Sequence, residues 1–581
     1  MPPEQSHESS AERRHQHLSG AESENAVTVS DTVHPSIDGV ADDLEKTTKI
    51  KTEDNSQEYV GGVKLGLIVV SVSLACFLTV MDISVISTAI PKITDDFKSL
   101  VDVGWYGSAY NLGSAALVPL TGKMYNHFNL KWTFLVFFLA FELGSALCGA
   151  AQTSAMLIVG RTIAGLGASG IINGSFTIIS ASVPLEKRPP FIGACMGISQ
   201  LGQVIGPLIG GAFTTGYTWR WSFYINLPLG ALVAVPLVII HIPEQVVKQS
   251  PLHVLKGLHR FLDLIGFALF APSVIMLLLA LQYGGNQFPW TSSQVIGLFC
   301  GAIVNAVVWA FWNRHKGDEG LIPTSMVKRR IVAISSLNYG LFMAVVFGGV
   351  FYLPIYFQAT KEKSAMLSGV YLMPNILPQI LTTILTGVLG RSFPKVGRIP
   401  PFALFAAATT AIGSGLYGTF QPNTSTGKWV GYQILAGVGQ GFGFQMPLIA
   451  IQNDIKPEHL AEATSLLVWA QYVGPTIFIV AYNTLFTSSL RSEIPKHALN
   501  ADVEAIVAAG ATEFRKLVSA EDLPAVLVAY ANAIDHVFFL VAAVGVFAFL
   551  AAFGMGWRDI RQKPTAPGTS NDDGSSSPAQ A

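Results

Sequence analysis

Three ionisable residues stand inside runs that are otherwise apolar: Asp82 in LTVMDISVISTAIP, Glu142 in VFFLAFELGSALCGA, and Arg161, which opens RTIAGLGASG. A charged group at the centre of a bilayer costs at least about 2.5 kcal/mol, so an ionisable residue in such a run is a candidate for carrying protons or pairing with a cation. Blander readings stand beside this one. Asp82 could be an interfacial residue that only hydrogen-bonds neighbouring helices, Arg161 could snorkel from a helix end, and Glu142 could be a packing residue. Cys76, Cys148, Cys195 and Cys300 all fall in apolar stretches, with no pair at zinc-ligand spacing, and read as small core residues. A nucleophile elbow, a Walker loop and an HExxH stretch are missing from the sequence, so the common signatures of hydrolysis and ATP use are not there. The chain is expected not to be an enzyme, and to need neither metal nor other cofactor.

The elements that must position these residues are set by composition. Of 581 residues 50% are hydrophobic and 13% charged, with mean hydropathy +0.46, an apolar excess that a water-soluble fold has no interior to hide. Nothing in the formal charge of -1 suggests a nucleic-acid partner, whose footprint would be a basic stripe. Residues 1–62 are polar, without apolar periodicity, and read as a disordered tail; no apolar region of a signal peptide follows the start. Apolar runs near the length that crosses a bilayer then recur at about 64–86, 104–121, 132–151, 156–182, 191–213, 223–241, 263–283, 293–312, 331–356, 367–389, 401–420, 429–452, 462–486 and 536–557. Lys and Arg gather in alternate short loops, from Lys123 and Lys131 through Arg329 and Arg330 to Arg391, Arg398, Lys456, Arg558, Arg561 and Lys563. By the positive-inside rule those loops are cytoplasmic, and so are both tails, the second being 558–581. The sequon at Asn423 falls on the outer side and is a glycosylation candidate, although its loop is short.

The spans repeat. QVIGP at Gln203–Pro207 returns as QYVGP at Gln471–Pro475, and AGLG at 164–167 returns as AGVG at 436–439. Gly122 before the third span matches Gly390 before the eleventh, so three signals recur at nearly one spacing. Spans one to six (63–241) and nine to fourteen (331–557, with an external loop at 487–535) then form two six-helix copies of like orientation, with two spans and flanking loops inserted at 242–330. Parallel halves related by an axis along the membrane normal suit a carrier that rocks about a site at mid-membrane.

These motifs resemble the major facilitator superfamily, in its fourteen-span drug:proton antiporter branch, and are most similar to fungal toxin and multidrug efflux pumps. The resemblance runs from about 62 to 560. Its strongest piece is GISQLGQVIGPLIGG, where Gly197, Gly202, Gly206, Pro207, Gly210 and Gly211 match the antiporter motif of the fifth span. Small residues at this spacing let helices approach closely, and Pro207 removes a backbone donor. The resemblance implies an all-α polytopic major facilitator fold, two six-helix halves plus two inserted central helices. It implies secondary active export of small amphipathic molecules (a toxin, secondary metabolite or drug) by proton antiport and alternating access, with Asp82, Glu142 and Arg161 as proton-coupling candidates. An arginine at that place of the fourth span supplies a counter-charge when a nearby carboxyl loses its proton. The loop Gly122-Lys123-Met124-Tyr125-Asn126-His127-Phe128-Asn129-Leu130-Lys131 occupies the place of the family's cytoplasmic gating motif, with Gly122, Lys123, Asn126 and Lys131 as its candidates. Asn126 stands where that motif has Asp, and Asn129-Leu130 where it has Gly-Arg, so hydrogen bonds would have to replace a direct ionic latch there.

Aromatic and amide side chains within apolar helices suit an amphipathic cargo, and Gln200, Gln203, Tyr356, Gln433, Gln440, Gln445 and Gln471 are the cavity candidates, with helix packing as the alternative for each. The expected partners are lipid, cargo and protons, with no nucleic acid, for a monomer in the plasma or vacuolar membrane driven by the proton gradient. Uptake of siderophore-iron or a nutrient is the rival within transport, and a non-transporting membrane receptor the rival outside it.

Overall fold

The apolar runs fold into helices. The computed structural model describes residues 59–97, 102–246, 248, 250–285, 287–392, 399–498 and 501–556. Among them are fourteen long helices: α1 Gly62–Phe97, α2 Val103–His127, α3 Leu130–Gly149, α4 Ser154–Ser182, α5 Arg188–Gly216, α6 Asn226–Ile239, α7 Leu264–Tyr283, α8 Ser293–Lys316, α9 Arg330–Ala359, α10 Met373–Ser392, α11 Ile399–Tyr417, α12 Thr426–Gly443, α13 Leu460–His497 and α14 Leu523–Ala552. Among the described residues, eleven helical segments are long and apolar enough to cross a membrane. α2 packs on α4, α7 and α13, α10 on α5 and α12, and α11 on α12 and α14. A helix enclosed by protein faces less hydrocarbon and can carry more small and polar residues.

Helix limits differ from the apolar runs where water-exposed turns are held by partners. α13 and α14 extend well past 486 and before 536, because Leu490, Ile494, Val526 and Tyr530 on their outer turns enclose Phe514 in an apolar cluster. Asn532 Nδ2 also donates to Glu493 Oε2 at 2.9 Å, so much of the expected external loop is helix extension. The amphipathic external stretch is the short helix Val503–Glu513, whose N-cap Asp502 accepts from Ala505 N at 3.1 Å. The sixth span is broken into Trp221–Tyr224 and α6, with Pro228 in the first turn of α6, where a missing N–H leaves no bond unmade. The tenth likewise starts afresh at Met373 after a separate turn of helix Ala365–Val370, with Pro374 next in line. Cys300 departs from the core reading: it is exposed on α8, whereas Cys76, Cys148 and Cys195 are buried.

The sequence repeat has a contact repeat. A Cβ on Gly165 of α4 would stand 2.8 Å from the Tyr110 carbonyl carbon of α2, and one on Gly437 of α12 would stand 2.9 Å from that of Asn375 in α10. Gly167 abuts Phe141 of α3 while Gly439 abuts Thr410 of α11, and the α3 residue Gly144 meets Ala164 as Gly413 of α11 meets Ala436. α5 lies along α1, as α13 lies along α9 through Gly474 and Gly340. Glycine at each crossing brings backbones together where any larger residue would force them apart.

One end of the bundle, here the basic end, carries the α2–α3, α4–α5, α6–α7, α8–α9 and α12–α13 connections. Lys131 Nζ there donates to the Val238 and Ile240 carbonyls at 2.6 and 3.0 Å, closing the C-terminus of α6. Glu244 Oε1 accepts from Leu130 N at 2.6 Å, and Lys248 Nζ donates to the Tyr125 and Phe128 carbonyls at 3.0 and 2.6 Å. Burial pulls the Lys248 ammonium below the ordinary lysine range, against the pull of Glu244 2.7 Å away.

Candidate functional site

Asp82 of α1 and Arg161 of α4 form an ion pair, with both side chains essentially inaccessible to solvent. Arg161 sits in the third turn of α4, whose start is fixed by the Thr153 hydroxyl accepting from Met156 N at 3.2 Å. Its Nε donates to the Tyr106 carbonyl at 2.8 Å, Nη1 reaches the Asp82 carboxylate, and the guanidinium lies 4.6 Å from the Tyr110 ring centre. The ring face offers the buried cation a further electrostatic partner. Asn226 Nδ2 of α6 donates to Asp82 Oδ1 at 3.2 Å and to Ser145 Oγ of α3 at 3.1 Å. Removing one partner from a buried pair costs roughly 3–5 kcal/mol, because the other charge is left unpaired.

Glu142 lies one turn before Ser145 on α3, but the structure does not draw it into the pair. Its carboxylate rests against Gly230 of α6, and neither oxygen has a hydrogen-bond partner. Tyr106, Tyr110, Ser145 and Asn226 were not singled out from the sequence. Asn226 lies in the aromatic segment Trp219–Pro228, and only its contact with the distant Asp82 reveals it.

The fifth-span glycines serve two neighbours. Cβ atoms on Gly202 and Gly210 would approach Met81 N and the Val85 carbonyl oxygen of α1 to 2.7 and 2.8 Å, and Gly206 abuts Ser84 between them. Ser84 Oγ donates to the Gly202 carbonyl at 2.8 Å. Asp82 therefore lies in the stretch of α1 that the motif clamps. Gly197 faces Ile384 of α10, and Gly211 has open space beside it. Pro207 lies inside α5.

At the basic end a carboxylate does meet the gating loop, from the far side. Lys123 Nζ of α2 is 3.5 Å from Glu462 Oε1 at the start of α13, and Asn126 Nδ2 donates to the same oxygen at 3.3 Å. A Cβ on Gly122 would stand 2.9 Å from the Glu462 Cα, so the small residue lets the two helices touch. The expected hydrogen-bonded substitute is thus joined by an ion pair through Glu462, invisible in the loop itself. Lys131 takes no part. Other bridges close this end: Gln452 Nε2 donates to Ser180 Oγ at 2.8 Å, and Gly387 of α10 lies on Pro189 and Pro190 of α5. The second copy of the loop, Gly390-Arg391 with Gly397-Arg398, lies for the most part outside the described residues, as do Lys395, Arg558, Arg561 and Lys563.

The amides behave as a set. Gln433 is fully buried with neither Oε1 nor Nε2 bonded, and the Oε1 atoms of Gln200, Gln440, Gln445 and Gln471 are buried without a partner. Gln379 Nε2 on α10 joins them. Gln445 reaches the other helix set, with Oε1 3.2 Å from where Gly193 of α5 would place a Cβ. A buried amide atom left unpaired costs about 1–3 kcal/mol. Tyr356 is different: its hydroxyl donates to the Gln421 carbonyl at 2.9 Å and its ring packs on Phe357 and Phe420, which is a structural setting. Gln203 is half-buried, and Asn423 is exposed in the turn between α11 and α12.

This arrangement has counterparts. Residues 72–479 match the family model described as Major Facilitator Superfamily. The chain is 50% identical over 530 residues to the MFS-type transporter pigP of Monascus ruber, covering 91% of this chain and 92% of the relative. It is 47% identical to the efflux pump mlcE of Penicillium citrinum, covering 90% and 95%. Its fold is similar to the solved structure of the human organic anion transporter MFSD10, with TM-score 0.55 at 13% identity over 85% of this chain and 100% of that one. Buried ion pair, glycine-packed helices and matched family model converge on one conclusion: the chain is a multi-pass membrane carrier of the major facilitator superfamily, a class of transporters that are neither enzymes nor cofactor-dependent.

Proposed function

We propose that this carrier exports small amphipathic molecules, of the secondary metabolite, toxin or drug class, by proton antiport with alternating access. The observation that carries the reading is the Asp82–Arg161 pair, an ionisable couple in the apolar interior whose carboxylate is also held by Asn226. Protonation of Asp82 frees Arg161 of its counter-charge and changes how α1 is held against α4 and α6; Glu142, beside them on α3, is a second proton acceptor. The relatives that carry the words efflux pump in their names favour the outward direction.

Cargo binds between two six-helix halves, 63–241 and 331–557, with 242–330 inserted and fourteen crossings in all. The orphaned Oε1 atoms of Gln200, Gln433, Gln440 and Gln445 support a polar lining for that chamber, since a cargo hydroxyl would donate to them and a cargo carbonyl would accept from Gln433 Nε2. Lys123 and Glu462 latch the basic end, which is cytoplasmic, as are both termini, and the plasma membrane is the site of action. The protein works as a monomer. Everted and right-side-out vesicles separate export from uptake: export requires cargo to accumulate in everted vesicles under an inward-acid gradient, and accumulation only in right-side-out vesicles would overturn the reading.

A further inference from the structure

A cavity of about 460 Å³ opens at the basic end, where α8 turns toward α9, bordered by Arg314, Gly317, Asp318, Thr324, Ser325 and Lys328. Two cations and two hydroxyl residues face one carboxylate. That carboxylate is already engaged, Asp318 Oδ1 accepting from Ser325 N at 2.8 Å, so Arg314 and Lys328 retain the unspent donor capacity. Thr324 Oγ1 donates to the Gly317 carbonyl at 3.2 Å, so the donors left for an anion are the guanidinium and the ammonium, the chemistry of a phosphate site.

The depth of the cavity says which phosphate. α8 presents Ile303, Val304 and Phe311 outward, 61%, 62% and 72% exposed, a side that only lipid tails would cover. In its last turns Lys316 Nζ lies 5.4 Å from the Trp312 ring centre, the pairing of aromatic and snorkelling cation that sits at headgroup level. Arg314 is between them. The hollow therefore opens where the headgroups of the adjoining leaflet lie.

Asp318 also links the hollow to the latch. Its carbonyl accepts from Lys123 Nζ at 3.3 Å, and that ammonium is the one 3.5 Å from Glu462 Oε1. The preceding Gly317 has φ +62°, a backbone setting that larger side chains rarely adopt, so the turn presenting Asp318 has a defined shape. We propose that the cavity between Arg314 and Lys328 holds the phosphate headgroup of an anionic lipid, and that an occupied cavity fixes the Asp318 turn and strengthens the Lys123–Glu462 bridge.

The test uses the purified full-length protein, its thermal unfolding midpoint read against increasing phosphatidylinositol 4-phosphate, phosphatidylcholine, soluble inositol phosphate or inorganic phosphate. The expected result is stabilisation by the anionic lipid alone, half-saturating at about tenfold or more higher concentration in R314Q/K328Q, and at lower concentration in D318N, which removes the opposing charge. Equal stabilisation by the soluble phosphates would overturn a lipid source, and a lipid effect unchanged in R314Q, K328Q and their combination would overturn the site. The link to the latch is read separately, by alkylation of S180C in a C300S background in nanodiscs. Anionic lipid must slow that reaction in the otherwise unaltered chain and not in R314Q/K328Q; equal rates with and without anionic lipid would overturn the coupling.

Discussion

Asn226 of α6 holds Asp82 of α1 from the side opposite Arg161, with Nδ2 3.2 Å from Oδ1 and the same nitrogen 3.1 Å from Ser145 Oγ. One carboxylate thus ties three helices, α1, α4 and α6, and its charge decides how firmly. A hydrogen bond to a charged group contributes roughly 1.5–3 kcal/mol, so Asn226→Ala is expected to slow gradient-driven efflux by about tenfold or more and to shift its pH dependence. Initial rates across a pH series in vesicles check this, and an unaltered profile would separate Asn226 from the proton step.

The ion pair itself makes a sharper statement about stability. Arg161→Met leaves Asp82 buried without its counter-charge and is expected to lower stability by about 3–5 kcal/mol, while D82L/R161M restores most of that loss because no unpaired charge remains. Both variants are expected to be inactive. Thermal unfolding in detergent beside efflux assays separates the two effects, and a double variant less stable than R161M would contradict the pairing argument.

The latch predicts a charge swap. Lys123→Glu places two carboxylates together, as Glu462→Lys places two ammonium groups, and each is expected to open the basic end; K123E/E462K restores the bridge 3.5 Å wide in the present chain. Cross-linking of S180C/Q452C, whose parent side chains are 2.8 Å apart, reads the closed state. Loss in each single swap and recovery in the double is the expected pattern.

How much of this was legible in the sequence depends on whether a residue's neighbours are close along the chain. The helices were legible, since their signal is local apolar length, and so was the doubling, since Ala164-Gly165-Leu166-Gly167 and its later copy occupy equivalent crossings. Asp82 and Arg161 stood out as charges in apolar runs, and the structure pairs them. Glu462 and Asn226 did not stand out, because their partners Asn126 and Asp82 are far away along the chain. Glu462 looks like a surface residue at a helix start until α2 is laid against it. The outer ends of α13 and α14 were missed for the same reason: their polar turns are held by Phe514 and by the Asn532–Glu493 bond, not by hydrophobicity of their own.

The glycines of α5 divide by what they touch. Gly206→Val would push into Ser84 and is expected to cost about 1–3 kcal/mol and most of the transport, whereas Gly211→Ala, with open space beside it, is expected to change little. Unfolding midpoints of the two variants check this, and equal losses would show that the motif does not act through its contact with α1.

Gln433→Leu and Gln440→Leu remove orphaned polar atoms from the interior, so they are expected to leave stability unchanged or raise it while weakening cargo binding by about tenfold. Cargo-induced stabilisation, compared between variant and parent, reads the second effect independently of the first. Undiminished cargo binding would make these amides packing residues.

The central claim, that cargo leaves in exchange for protons handled by Asp82, is tested most directly by recording proton movement and cargo movement together in proteoliposomes containing the parent chain or D82N. The parent is expected to move protons against cargo, each flux stopping when the other is prevented, and D82N to show no cargo-dependent proton flux while remaining folded and able to bind cargo. Cargo-coupled proton movement by D82N at the parent's rate would contradict the account.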